Sequence, residues 1–281
     1  MTLDEESFLQ DTMEGLNEVL RPFQQEVNRG QRMADFIKQC IRCAGRDDFL
    51  QLDEMLHTKT AENVEQEKAL AGCKPIFNNL RQYATEQVER YRLQFIEDLT
   101  RLAQEAGLPI DIDFPRFSVL KGIDGEIEFS KRLTTINKKT LKSIDPRRII
   151  TAVQRKKKQL YDRSFDPQKF IDGIYKTYAA IAETDNVSLG HTVPIQHFYL
   201  EYVISLQSKT FFANMDKAKF RGYSLEQFGV DLWCYFESGI GRTANGKVLQ
   251  LRPGRNNSLW LIDSDGERRQ ITGISFQEGE G

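Results

Sequence analysis

Phe117-Ser118-Val119-Leu120, then Gly122-Ile123-Asp124-Gly125, then Glu126-Ile127-Glu128-Phe129 is the stretch where the chain stops reading as helix and starts reading as sheet. Two short apolar-rich runs flank a connector rich in glycine and aspartate, which tolerate turn conformations that branched and aromatic residues avoid. That pattern predicts a β-hairpin. Leu133-Thr134-Thr135-Ile136 reads as a third strand or an extension of the second. With helical patterns on both sides, the fold class is α+β and predominantly helical.

Upstream, apolar residues recur at three- and four-residue spacing. Leu16, Leu20, Phe23 and Val27 make one stripe; Met33, Phe36, Ile37, Cys40 and Ile41 make a second. Leu80, Tyr83, Val88, Tyr91, Phe95, Leu99 and Leu102 continue the pattern. This periodicity predicts three to five amphipathic helices in an N-terminal bundle over residues 1–108, with breaks at Gly30, Gly45, Gly72 and Gly107. Flanking charges of alternating sign do not accompany the stripes over several heptads. A bundle with one long hairpin is therefore expected in preference to a long dimeric coiled coil.

Downstream, residues 109–281 form the α+β body. Asp145-Pro146 and Asp166-Pro167 each supply an N-cap followed by a proline at the first helical position, and Thr192-Val193-Pro194 resembles them. Ser224 with Gln227 makes a capping box. Four helices follow, at 146–162, 167–183, 194–208 and 225–238, the last stopped by Gly239-Ile240-Gly241. Val248–Leu251, Leu259–Ile262 and Gln270–Ile274, joined by turn-rich connectors, predict a small C-terminal antiparallel β-meander over 247–276. The end, Gln277–Gly281, reads as a frayed tail.

At 281 residues the chain is long enough for one large domain or two smaller ones. No run approaches the roughly 18 apolar residues of a membrane span. The acidic start, Met1-Thr2-Leu3-Asp4-Glu5-Glu6, is unlike a secretory signal, and four cysteines are too few for a disulfide framework. A cytoplasmic protein with reduced thiols is expected. The net charge of −2 conceals a segregation. Residues 1–115 carry 22 acidic against 13 basic side chains, residues 116–163 carry 5 against 14, and the remainder 14 against 12. Such segregation speaks about partners, not about fold.

The basic segment is amphipathic. On a wheel of about 100° per residue, Ile149, Ile150, Val153, Leu160 and Tyr161 share one arc. Arg147, Arg148, Arg155, Lys156, Lys158 and Arg163 fall opposite, with Lys157 alone inside the apolar arc. Lys131, Arg132, Lys138, Lys139 and Lys142 lie just upstream. Like charges this dense repel, and nucleic-acid phosphates are the commonest partner that offsets the repulsion, through attraction and counterion release. The competing readings are a solvated face, an acidic protein surface, or lipid, the last disfavoured because the apolar arc is needed for packing. The predicted nucleic-acid-binding residues are Lys138, Lys139, Lys142, Arg147, Arg148, Arg155, Lys156, Lys158 and Arg163. Sequence-specific readout is not expected, since no DNA- or RNA-binding signature is present.

Other constellations read as structural. Cys40, Cys43, His57 and Cys73 offer four soft ligands, but two share a helical face and the other spacings match no zinc finger. Asp124, Glu126 and Glu128 alternate on one strand face beside Lys131, a layout with nuclease-like Mg²⁺ chemistry. The simpler reading sends the acids to water and Ile127 and Phe129 to the core. His191 and His197 lack a nearby nucleophile. Asp231, in an apolar helical run, is expected to be the buried partner of an arginine. Gly239–Lys247 lacks the helix-opening Gly-Lys-Ser/Thr of a P-loop, and Trp233–Phe236 reads as core. No catalytic residue, metal or cofactor is predicted. The expected function is a non-catalytic accessory or adaptor subunit, binding nucleic-acid phosphates non-specifically through the basic helix and a protein partner through the N-terminal helices. A purely protein-interaction component, with oligomerisation open, and a metal-dependent nuclease are the alternatives.

Overall fold

A computed structural model describes residues 3–188 and 190–279; Met1-Thr2 at the start and Glu280-Gly281 of the expected tail lie outside the described residues. The chain divides into two compact units. One holds the chain up to Asp98 together with Glu128–Arg132, the other Leu99–Ile127 and the chain from Leu133 onward.

The first unit is helical: α1 (Leu3–Ala44), α2 (Phe49–Leu56), α3 (Lys59–Gln66), a 3₁₀ turn (Lys68–Leu70) and α4 (Cys73–Glu105), whose last residues belong to the second unit. Met33, Cys40 and Cys43 of α1 pack with Leu52, Leu56, Ala61, Val64, Phe77 and Ala84. Gly30 does not break a helix. It lies inside α1, because a glycine in an otherwise favourable helical run costs only about 1 kcal/mol. Gly45 and Gly72 do sit at helix ends. Arg81 ties the elements together, donating to the Leu56 carbonyl at 3.1 Å and to Glu65 at 2.7 Å. The segment 128–132 contributes Phe129, whose ring lies 5.3 Å from Tyr91 and 5.2 Å from Phe95, and Arg132, which pairs with Asp48 at 2.6 Å.

The second unit opens with an antiparallel sheet in sequential order: β1 (Ile110–Asp113), β2 (Arg116–Val119), β3 (Asp124–Glu128), β4 (Leu133–Ile136) and β5 (Lys139–Leu141). The expected hairpin is its β2–β3 pair, but the turn falls two residues earlier than Gly122–Gly125. The Val119 amide donates to the Ile123 carbonyl, and Leu120 and Gly122 take the left-handed conformations. Gly125 instead sits within β3 opposite Phe117, where an added Cβ would fall 2.1 Å from the ring. The Asn137 side chain fastens the turn, donating to the Gly122 carbonyl at 2.7 Å and accepting from the Asp124 amide at 2.9 Å.

Helices α5 (Pro146–Leu160), α6 (Pro167–Thr184), α7 (Ile195–Ser205) and α9 (Leu225–Glu237) match the four expected ones in order. Asp145, Asp166 and Ser224 accept from Arg147, Lys169 and Gln227 amides as N-caps. Val193-Pro194 is different. It forms a short strand, β6, because its backbone pairs with a later strand before α7 begins. A further helix, α8 (Lys209–Asn214), and a 3₁₀ turn (Lys217–Lys219) occupy a stretch with no sequence expectation. The last strands, β7 (Lys247–Pro253), β8 (Leu259–Ile262) and β9 (Arg268–Glu278), are antiparallel, with β9 paired to both others and to β6. Gln277 and Glu278 are therefore strand, not frayed tail. Ile171, Ile174, Tyr178, Phe198, Phe228, Leu232 and Ile274 form the core between these helices and this sheet. No helix among the described residues is long and apolar enough to cross a membrane.

Candidate nucleic-acid interface

The basic surface is built on α5 and the β4–β5 hairpin that precedes it. Ile149, Ile150, Val153 and Leu160 are buried, and α5 packs on β4 and α9, so the opposite face is fixed toward solvent. At about 100° per residue, Arg147, Lys158, Arg155 and Arg148 fall within roughly a quarter of the circumference. All four are exposed. So are Lys138 in the β4–β5 turn, Lys139 in β5 and Lys142 just after it. Among the described residues no salt bridge engages any of these seven cations. Thr151 and Gln154 are exposed in the same arc of the helix. The Thr151 hydroxyl is spent on the Arg147 carbonyl at 2.8 Å, whereas the Gln154 amide adds a donor suited to phosphate oxygens, which a reading by charge alone passes over.

Two of the nine expected contacts face inward instead. Lys156 is only 8% exposed and its ammonium bonds Glu226 of α9. It lies at the rim of the apolar arc, where the carboxylate of the helix packed alongside draws it down and offsets its desolvation. Arg163 donates to Asp231, which is 2% exposed and also accepts from the Tyr223 hydroxyl at 2.6 Å and the Gln227 amide at 2.9 Å. Gln227 in turn donates to the Leu160 carbonyl at the end of α5. Burial lowers the Arg163 guanidinium and raises the Tyr223 phenol from their ordinary ranges. This polar cluster pins the end of α5 to α9; Asp231 is the buried partner of an arginine, as its apolar setting implies. Lys157, assigned to the apolar arc, is half-buried and pairs with Asp162 at 2.8 Å. Lys131 and Arg132 belong to the first unit and are held by Glu128 and Asp48.

Among the described residues no group of three or more His, Cys, Asp or Glu side chains is placed to hold a metal ion. Asp124 pairs with Arg268 at 2.9 Å and Glu128 with Lys131 at 2.7 Å, so cations hold two members of the acidic strand. Cys40 and Cys43 are buried free thiols, and burial together with Cys43 pushes Cys40 up to about 11, which keeps it protonated and inert at neutral pH. The His57 ring turns to the Asp53 carbonyl on its own helix. His197 stands 4.0 Å from Glu201 on α7, and His191 lies in an exposed loop where its carbonyl accepts from Tyr178. Cavities of about 480 Å³ beside Thr177 and Tyr202 and about 250 Å³ beside Tyr178 and Phe276 are lined by residues distinct from the basic arc.

No protein-family model, no curated protein and no solved structure matches the chain.

Proposed function

We propose that this protein is a non-catalytic accessory subunit that holds nucleic acid by its phosphates, through Lys138, Lys139, Lys142, Arg147, Arg148, Arg155 and Lys158, and holds a protein partner through its N-terminal helices. One observation carries the reading: seven exposed cations lie on a helix and the adjoining hairpin with no salt bridge among the described residues, in a chain that has 41 carboxylates. Lys156 and Arg163, on and just after the same helix, are instead taken up by Glu226 and Asp231. A stripe left open keeps a positive field whose repulsion a polyanion relieves. The contacts are to phosphate rather than to base edges, so affinity depends on salt far more than on sequence.

Fluorescence anisotropy with labelled single- and double-stranded DNA and RNA, titrated across ionic strength, tests it. Binding is expected at low salt, with log affinity falling linearly against log salt by about 0.9 per duplex phosphate neutralised. Reversing Arg147, Arg148, Arg155 and Lys158 to Glu abolishes that binding for every sequence alike. Absence of binding to all four probes at low ionic strength sinks the proposal.

A further inference from the structure

The first unit presents a second surface of a different kind. Residues 8–32 of α1 are exposed without exception, although the segment is rich in large apolar side chains. Leu9, Met13, Leu16, Leu20, Phe23 and Val27 follow one another at intervals of four, three, four, three and four, each between 44% and 67% exposed. That is an unbroken heptad stripe over about five turns of a helix that enters its core only at Met33. We infer that this stripe is the seam of a two-stranded coiled coil with a second copy of the same chain.

The flanks of the stripe identify the occupant. The positions on one side are Gln10, Asn17, Gln24 and Gln31, and on the other Thr12, Val19 and Glu26. In either strand orientation no pair of like charges meets across the seam. Coiled coils that must refuse their own copy do so with like-charged rows at these positions, and no such row is present. Apart from Glu26, charge along the stripe lies on the outer face, where Asp11, Glu14 and Glu18 outnumber Arg21; an interfacial membrane helix carries Lys and Arg there instead. Gly15 and Pro22 share one outward heptad position, so neither puts its side chain in the seam. Both weaken a lone helix, and a helix of this composition without packing is not self-sustaining. Twelve seam side chains from two copies, at about 60–120 Å² each, bury on the order of 1,000 Å², enough for a specific interface.

This names the partner in the functional reading and rests only on its protein-contact half; it stands whether or not the basic arc holds nucleic acid. Sedimentation equilibrium of the full chain, free of nucleic acid, is expected to give twice the chain mass at micromolar concentration, dissociating on dilution. Leu16→Glu with Leu20→Glu yields the monomer while near-UV circular dichroism and the main melting transition stay unchanged, because both side chains are exposed and lie outside the core of the first unit. Glu14→Arg with Glu18→Arg, on the outer face, leaves the dimer intact. A monomeric wild-type chain throughout the micromolar range overturns the inference, whether or not that monomer binds anionic phospholipid vesicles. So does a dimer indifferent to the Leu16 and Leu20 changes. Nucleic-acid binding measured separately on the monomeric variant keeps the fate of the basic arc independent.

Discussion

Asp231 is a carboxylate with almost no water, held by a guanidinium, a phenol and an amide at once. Removing it as Asp231→Ala strands the Arg163 charge, and breaking a buried pair from one side costs about 3–5 kcal/mol. Chemical denaturation is expected to show that loss; a change under about 1 kcal/mol would mean that water replaces the carboxylate. Lys156 and Arg155 make a sharper contrast, being neighbours with opposite duties. Lys156→Ala leaves Glu226 without its partner and lowers stability by about 1–3 kcal/mol, with nucleic-acid affinity unchanged. Arg155→Ala leaves stability alone and reduces the salt slope of binding by about one. Of the basic residues, sequence places Arg155 at the surface, where it lies, and misplaces Lys156 for a definite reason. A wheel sorts side chains by angle, whereas Lys156 sits at the rim of the buried arc and its direction is decided by a carboxylate 70 positions later. Asp231 was legible because a lone acid in an apolar run requires a cation wherever that cation lies in sequence.

At the level of elements, caps and periodicity carried most of the information. Asp145, Asp166 and Ser224 mark helix starts because their oxygens satisfy amides that have no other partner, a local requirement independent of the rest of the fold. The turn after β2 was read two residues late because Asp124-Gly125 has the composition of a turn. Its glycine serves a different need, making room for the ring of Phe117 on the neighbouring strand. Gly125→Ala is therefore expected to destabilise the protein by about 1–3 kcal/mol through overpacking. Phe117→Leu, which shortens the opposing side chain, should recover part of that loss in a double-mutant cycle, and additive effects would contradict the contact. The stripe on α1 was visible as helical periodicity, but periodicity gives only the existence of an apolar face. Whether the protein's own core covers it depends on packing among all the helices, which no local pattern encodes.

For the whole molecule, charge separation and fold follow different logics. The fold class was legible because helix and strand periods differ, and the pattern switches to strand near Pro109, back to helix near Asp145 and to strand again near Lys247. The composition of the units was not, since Glu128–Arg132 joins helices that precede it by many residues, and only the placement of Phe129 and Arg132 makes this visible. Phe129→Ala is expected to cost the first unit roughly 2 kcal/mol, less than the 3–5 of a fully buried ring because Phe129 is half-buried. Hydrogen exchange would locate the loss as faster exchange around Tyr91 and Phe95, and uniform acceleration over the whole chain would argue against a local role.

The same five residues set an order of events during synthesis. Chains emerge from the ribosome amino end first, and units ordinarily fold as they clear it. Here the helices up to Asp98 emerge without the aromatic ring and the guanidinium that complete their packing. Three strands of the following sheet must be made before Arg132 appears. The first part of the protein to be translated is therefore not the first that can be finished, and its apolar surfaces wait, incompletely covered, for a segment still being made.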